Sequence, residues 1–443
     1  MHATTPPAAG SCVVDWAESG VVAVTGHPDG PVLVPPGRAA SRARELTSWI
    51  AAVAGPALAL DGARLLAERA ALNNLHRRGT VSAGGRCRLL PTADGWAAVS
   101  CARPDDPLLL GALIGETIDA EDPWPAVAEW VRNHPGAQLA ERAELLGVAA
   151  GPVRTEGAEL PGGAAGPVCA ERPELPGAPA GLELPGERAD SLASLIPRPV
   201  EDLLVVDFSS LWAGPLCAHL LGLAGARVIR VETPQRPDGA RRGNPAFYAL
   251  LHHGHESVVL DPTDPAGRRA LRGLVDAADI VIEASRPRAL ANFGLDAATA
   301  VARGAVWVSI TAAGRHSNRV GFGDDIAAAA GLIAREYGTG TPAFVGDAIA
   351  DPLTGLTAAA FAMSAPADGS GVLWDISMTD VVATTLTCDP VPRALRRGES
   401  WFVDSGAGLI PVVQPASRTP PGPAAAPGAD TARVLGSLGI PKP

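Results

Sequence analysis

No Gly-x-Gly-x-x-Gly follows the strand-like run Leu203 to Phe208, so a dinucleotide-dependent dehydrogenase loses its main sequence support. Surplus cations are also missing. A formal net charge of −11 argues against a general nucleic-acid partner, because phosphate backbones are gripped by excess Lys and Arg. Apolar residues never run uninterrupted for the eighteen or so positions that a membrane span needs, so no span is expected. The start, "MHATTPPAAGSCVVDW", lacks a basic stretch leading into an apolar core, which argues against a secretory signal and for a cytoplasmic protein. Six cysteines (Cys12, Cys87, Cys101, Cys169, Cys217 and Cys388) form neither a CxxC nor a metal-like Cys/His spacing. They read as reduced, mostly buried thiols.

Aromatic residues make up only 4%, but 47% hydrophobic and 19% charged residues describe a globular chain. At 443 residues it exceeds one ordinary core, so two domains, or one large domain with an insertion, are expected. Its 50 Gly and 42 Pro include a stretch, residues 153–197, that repeats "ELPG" at Glu159, Glu174 and Glu183 without sustained periodicity. That composition marks a linker.

Beyond the linker, "EDLLVVDFSSLWAGPLCAHLLGLAGARVIRVETP" reads as a buried strand, a Gly-Pro turn, a helix and a second strand. "SVVLD", "DIVIEA" and "VWVSIT" continue the rhythm, with helices over Asp264 to Ala277 and Pro287 to Phe293. Strands alternating with helices predict an α/β fold with a doubly wound, mainly parallel sheet, Rossmann-like in its large domain. Ligands of such sheets bind at the carboxyl ends of the strands, where loops carry Arg236, Arg241, Arg242, Arg286, Arg288 and Arg315. Singly, each arginine reads as solvated surface; together they form a plausible rim for phosphates.

Before the linker, "RCRLLPTADGWAAVSCARPDDPLLLGALIG" predicts two strands around the Asp94-Gly95 turn and then a helix. Two further helices follow, giving a small α+β domain over residues 85–152. The stretch "VGDAIADPLTG" holds two aspartates, Asp347 and Asp351, ahead of a helix-forming run. The plain reading of such a pair is favourable placement of carboxylates at a helix start.

Taken together, "SSLWAGPLCAHLLGLAGARVIRVETP", "FYALLHHGHESVVLDPTDPAGRRALRGLVDAADIVIEASRPRALANFGL", "GFGDDIAAAAGL", "GDAIADPLTGL" and "GVLWDISMTDVV" resemble the class III coenzyme A transferase family. That family also contains carnitine and formyl-CoA transferases and α-methylacyl-CoA racemases. "ESGVVAVTGHPDGPVLVPPG" and "GGRCRLLPTADGWAAVS" resemble it too, in rearranged order. The resemblance divides the chain into a partial copy of the large domain (1–84), the small domain (85–152), the linker (153–197), a large CoA-binding α/β domain (198–390) and a tail returning to it (391–443).

The resemblance implies transfer of CoA between carboxylic acids. Asp351 matches the family's nucleophile, with Asp347 as fallback, and the matching stretch of the partial copy, "VLVPPGRAAS", holds no carboxylate. An ionised carboxylate needs no general base to attack a thioester carbonyl. It expels CoA thiolate, the thiolate attacks the resulting anhydride, and an acceptor acid reverses the sequence. Two thioesters of similar free energy need no ATP for such an exchange.

By the same resemblance Gly84 and Gly85, in "SAGGR", are candidates for an oxyanion loop, the alternative being a simple turn. Trp212, Ala213 and Arg230, then Ser285, Arg286 and Arg288, match positions at the CoA moiety, and Arg241 and Arg242 are further phosphate candidates. In racemases a histidine stands where this chain has Asp324, followed by Asp325, so α-proton exchange on an acyl-CoA is the second reading and a CoA-binding pseudo-enzyme the third. His252, His253 and His255 could suggest a metal, but the family has a CoA-proximal turn there, and no metal is expected. Acyl-CoA and carboxylic acids are the implied partners, with CoA a substrate, no tightly bound cofactor, and a homodimer as the family's assembly.

Overall fold

The structure, a computed structural model, describes residues 9–55, 58–154, 168–171, 192–284, 287–366, 368–387 and 389–443. Strands β1 (Cys87–Pro91) and β2 (Trp96–Ser100) pair antiparallel about the Asp94-Gly95 turn, and β3 (Ala150–Pro152) pairs with β2. Helices Asp106–Ile114, Trp124–Arg132 and Gly136–Leu146 lie between β2 and β3 in sequence. Leu110, Leu113, Val127, Val131 and Leu139 pack with Leu90 and Val99 into a core of their own.

Within the stretch read as linker, Val168–Glu171 forms β4, a departure from the sequence expectation. Its partner is an edge strand with unpaired backbone groups, which a short extended segment can satisfy without any amphipathic signature of its own.

The large sheet follows with β5 (Leu204–Asp207), β6 (Arg227–Glu232), β7 (Glu256–Val259), β8 (Ile280–Glu283), β9 (Val306–Thr311), β10 (Ile333–Arg335), β11 (Pro342–Phe344) and β12 (Val372–Ser377), of which β10 and β11 form a separate hairpin. The order is β4-β12-β9-β8-β5-β6-β7, with β4 antiparallel and the other six parallel. Side chains alternate between two cores: Val205 packs with Leu216, Leu220 and Leu353 on one face, while Leu204 and Val206 pack with Leu271 and Leu274 on the other. The sheet is therefore covered on both faces, as its near-continuous apolar strands require.

Strand order reverses between β5 and β8, and a crevice opens at the carboxyl ends of such a pair. The helix Ala213–Leu223 starts there, and the helix Ala350–Ala362 packs against it. On its other side Ala350–Ala362 meets the helix Ala39–Ala54, so N-terminal residues share the core of the C-terminal half.

Strands β13 (Ala394–Arg397), β14 (Ser400–Asp404) and β15 (Leu409–Pro411) form an antiparallel sheet. The chain then returns across the molecule. Val413 N donates to Ala17 O, Arg418 pairs with Glu68, and the helix Thr431–Ser437 docks on β7. No helix among the described residues is long and apolar enough to cross a membrane.

Candidate active site

Three carboxylates and one guanidinium converge beside the β5–β8 crevice. Asp324 begins the helix Gly323–Ala330, Asp351 lies in the first turn of Ala350–Ala362, and Asp347 sits in the loop between β11 and that helix. The loop is bent by Gly346 (φ 63°) and by Ala348 (φ 46°), a left-handed alanine. Such backbone is strained for a residue with a Cβ and is found where surrounding structure holds it.

Asp347 is fully buried and bound on both oxygens: Arg69 Nε donates to Oδ2 at 2.8 Å and Nη2 to Oδ1 at 2.5 Å. Asp351, by contrast, is partly exposed. Asp324 accepts from Ala348 N at 2.8 Å, which ties the two loops together. Gly323 is required at this contact, because a Cβ there would lie 2.3 Å from Ala348 O and 2.4 Å from Asp351 Oδ2.

Burial pushes the Asp351 carboxyl up to about 7, with the Asp324 and Asp347 charges adding to the rise and Arg69 opposing it. Asp324 also rises to about 7, by burial and then by the Asp347 charge, again against Arg69. Asp325 plays a different part. It accepts from Phe322 N at 2.9 Å, capping its helix, and from Ser100 Oγ at 2.8 Å, which joins β2 to the site; burial raises it to about 6.

Gly84 abuts this group, since a Cβ on it would stand 3.6 Å from Asp347 Oδ1 and 3.7 Å from Arg69 Nη2. Gly85 (φ 76°) turns the loop, and its N–H donates to Ser82 O at 2.8 Å. Trp212 is buried at the crevice with the Arg69 guanidinium 5.1 Å from its ring centre, and Ala213 opens the adjoining helix.

Arg69 was not legible as a site residue. It stands in "LLAERAALNN", where its charge reads as the solvated face of a helix, and its partner lies 278 residues away.

The arginines expected at the CoA moiety divide. Arg230, expected to face a ligand, is 2% exposed and spent internally: Nη1 donates to Asp207 Oδ2 at 3.3 Å and Nη2 to Asp238 Oδ2 at 2.5 Å. Arg241 forks onto Glu232 and lies over the Tyr248 ring at 4.6 Å, lining with Pro245, Tyr248 and Pro423 a cavity of about 560 Å³. Arg242 is exposed. Ser285 and Arg286 lie outside the described residues, and Arg288 belongs to the helix Pro287–Asn292. His252 and His255 are buried, and burial with the nearby Arg230 charge holds both rings below the usual histidine range. Among the described residues no cluster of three or more His, Cys, Asp or Glu is placed to hold a metal.

Against known proteins, residues 200–400 match the family model described as CoA-transferase family III. Over these residues, a little under half of its length, the chain resembles CoA-transferase family III. Similar proteins include the succinyl-CoA–D-citramalate CoA-transferase of Chloroflexus aurantiacus, 29% identical over 42% of this chain and 50% of that one. The succinate–glutarate CoA-transferase of Agrobacterium fabrum is 28% identical over 42% of this chain and 53% of its own. A crystal structure of a CAIB/BAIF family protein from Brucella suis is 25% identical, covering 47% of this chain and 66% of that one with a TM-score of 0.41. The chain thus spans about half the length of these curated relatives. The matched region holds Asp324, Asp347 and Asp351; Arg69 and Gly84 lie before it.

Proposed function

We propose that the chain transfers CoA between carboxylic acids through a covalent intermediate on Asp351. The observation carrying this reading is the contrast between the two neighbouring aspartates. Asp347 has both oxygens locked to Arg69, while Asp351 keeps part of its surface open at a helix start. An acyl-CoA carbonyl needs a carboxylate it can approach, and of the two acids the later one is the one not fully buried.

In this mechanism the Asp351 carboxylate attacks the thioester carbon and CoA thiolate departs. The thiolate then attacks the aspartyl carbonyl of the anhydride, releasing the donor acid and leaving an enzyme-bound thioester. An acceptor carboxylate attacks that thioester, and the freed thiolate takes the acceptor's acyl group. With the Gly85 N–H held by Ser82 O, the Gly84 N–H is the candidate in this turn for steadying the oxyanion at each stage. The crevice by Trp212 is the candidate entry for the pantetheine arm.

The test is intact-protein mass spectrometry after incubation with a mixture of acyl-CoA thioesters. A CoA adduct on wild type, cleaved by hydroxylamine and mapped to Asp351, is the expected result; no adduct on any thioester overturns the reading. Because the attacking form is the carboxylate, turnover should rise with pH through about 7 and level off above it. A pH–rate profile with its acid limb near the ordinary aspartate value of ~3.9 would contradict the burial described here.

A second reading is favoured by one specific observation. Burial pushes both Asp324 and Asp351 up to about 7, and the Asp324 charge adds to the rise at Asp351, which suits two acids placed to exchange a proton at an α-carbon. Deuterium entering the α-position of an acyl-CoA in heavy water, with no acceptor acid present, would establish that exchange.

A further inference from the structure

The course of residues 9–54 repeats that of residues 323–362. In the first, the helix Ala9–Glu18 ends before left-handed Gly20 (φ 83°), a hairpin closes at the Gly26–Val32 bridge, and left-handed Gly37 (φ 74°) precedes Ala39–Ala54. In the second, Gly323–Ala330 ends at left-handed Gly331 (φ 101°), β10 and β11 close the hairpin, and left-handed Ala348 (φ 46°) precedes Ala350–Ala362. Gly20 and Gly37 are separated by as many residues as Gly331 and Ala348, and Pro31 matches Pro342. Two segments sharing their turns at the same spacing, with their long helices packed together, have the form of a two-copy interface enclosed in one chain.

The copies are not chemically equal. At the positions of Asp324, Asp325, Asp347 and Asp351, the first has Val13, Val14, Pro36 and Ala40. What the N-terminal half supplies instead is a cation. Arg69, in the helix Glu68–Leu72, reaches across to Asp347. Its neighbour Glu68 is buried and gripped by Arg418, whose Nε and Nη2 each donate to it at 2.8 Å, so the returning tail fixes the turn that presents Arg69.

We propose that the N-terminal half completes the site of the C-terminal half within the same chain, Arg69 being its positioning cation: two of its nitrogens orient Asp347, and its charge stands beside Asp324 and Asp351. This rests on the reading that those carboxylates form the active site. Groups facing them are Asp347 on the loop, Asp325 on the same helix with Arg319 near it, Cys87 of β1, and Arg69.

Two experiments test it. In the first, Asp351→Asn and Arg69→Gln chains, each expected to be inactive, are co-expressed. A site made within one chain leaves the mixture inactive, whereas a site made between two chains of a dimer restores about a quarter of wild-type activity, which overturns the proposal. The second needs no turnover and therefore stands even if the transferase reading fails. The aspartate carboxyl carbons are followed by 13C NMR against pH in wild type, Arg69→Gln and Arg69→Lys. Loss of the cation should raise the Asp324 and Asp351 midpoints by about a unit, roughly tenfold in proton affinity, with Lys restoring most of it. Midpoints that stay in place in Arg69→Gln overturn the role of Arg69. If that variant does not fold, Asp347→Asn serves: removing the like charge and releasing Arg69 should lower both midpoints, and unchanged values count equally against the proposal.

Discussion

Asp351→Asn is expected to lose activity by on the order of 10⁴-fold or more and to form no covalent CoA adduct, while becoming more stable than wild type at pH 8. The loss follows from the chemistry, because an amide is neither an anion nor able to form the anhydride. The gain follows from the charge. A carboxyl whose folded value is raised to about 7, from about 3.8 in the unfolded chain, binds its proton more tightly in the native state. Its ionisation therefore costs native stability progressively as pH climbs from about 4 to about 7, and the full cost stands above 7. A neutral amide avoids that cost.

Because Asp324, Asp347 and Arg69 share the same field and Asp351 is partly exposed, the expected gain is a modest ~1–3 kcal/mol at pH 8, shrinking toward zero at pH 4. Chemical denaturation at both pH values, beside mass spectrometry of the CoA-treated variant, gives the two readouts. A variant that is dead but no more stable at pH 8 would mean that the carboxylate is solvated in the free protein. One that still carries CoA would move the nucleophile elsewhere.

How far the sequence disclosed this arrangement depends on the distance over which each contact acts. The parallel sheet was legible because its signal is local: Leu203 to Phe208, Arg227 to Glu232 and Val306 to Thr311 are short apolar runs separated by helices, and the observed strands fall within a residue or so of them. The aspartates were legible for the same reason, since Asp347 and Asp351 sit a helical turn apart in one stretch. Their difference was not. Which of the two is locked and which stays open is decided by Arg69, and nothing in "AERAAL" announces a partner so remote. Strand β4 escaped notice because it borrows its order from the edge of β12. Arg230 misled for a related reason: an arginine near the end of a strand by a ligand crevice has the same local sequence whether it faces a phosphate or a buried carboxylate.

That last ambiguity can be resolved by stability. Arg230→Met should lower unfolding free energy by about 3–5 kcal/mol, the scale for removing one partner of a buried ion group, and should change CoA affinity little in the fraction that stays folded. Asp207 is fully buried and Asp238 nearly so, and the guanidinium is the cation between them. Methionine fills similar volume but leaves two buried carboxylates facing an apolar stem. Asp238 also holds Leu211 N at 3.1 Å, in a loop where Leu211 carries a left-handed φ of 69°, so disturbing the network should loosen the mouth of the crevice as well. Adding Asp238→Asn to Arg230→Met should cost less than the sum of the two separately, because one unpaired charge is then gone. Denaturation midpoints for the four members of that cycle, with CoA titrations on each, separate the two roles. A stable Arg230→Met protein with CoA binding weakened tenfold or more would assign Arg230 to the ligand, and the ion network would then be a resting arrangement that CoA displaces.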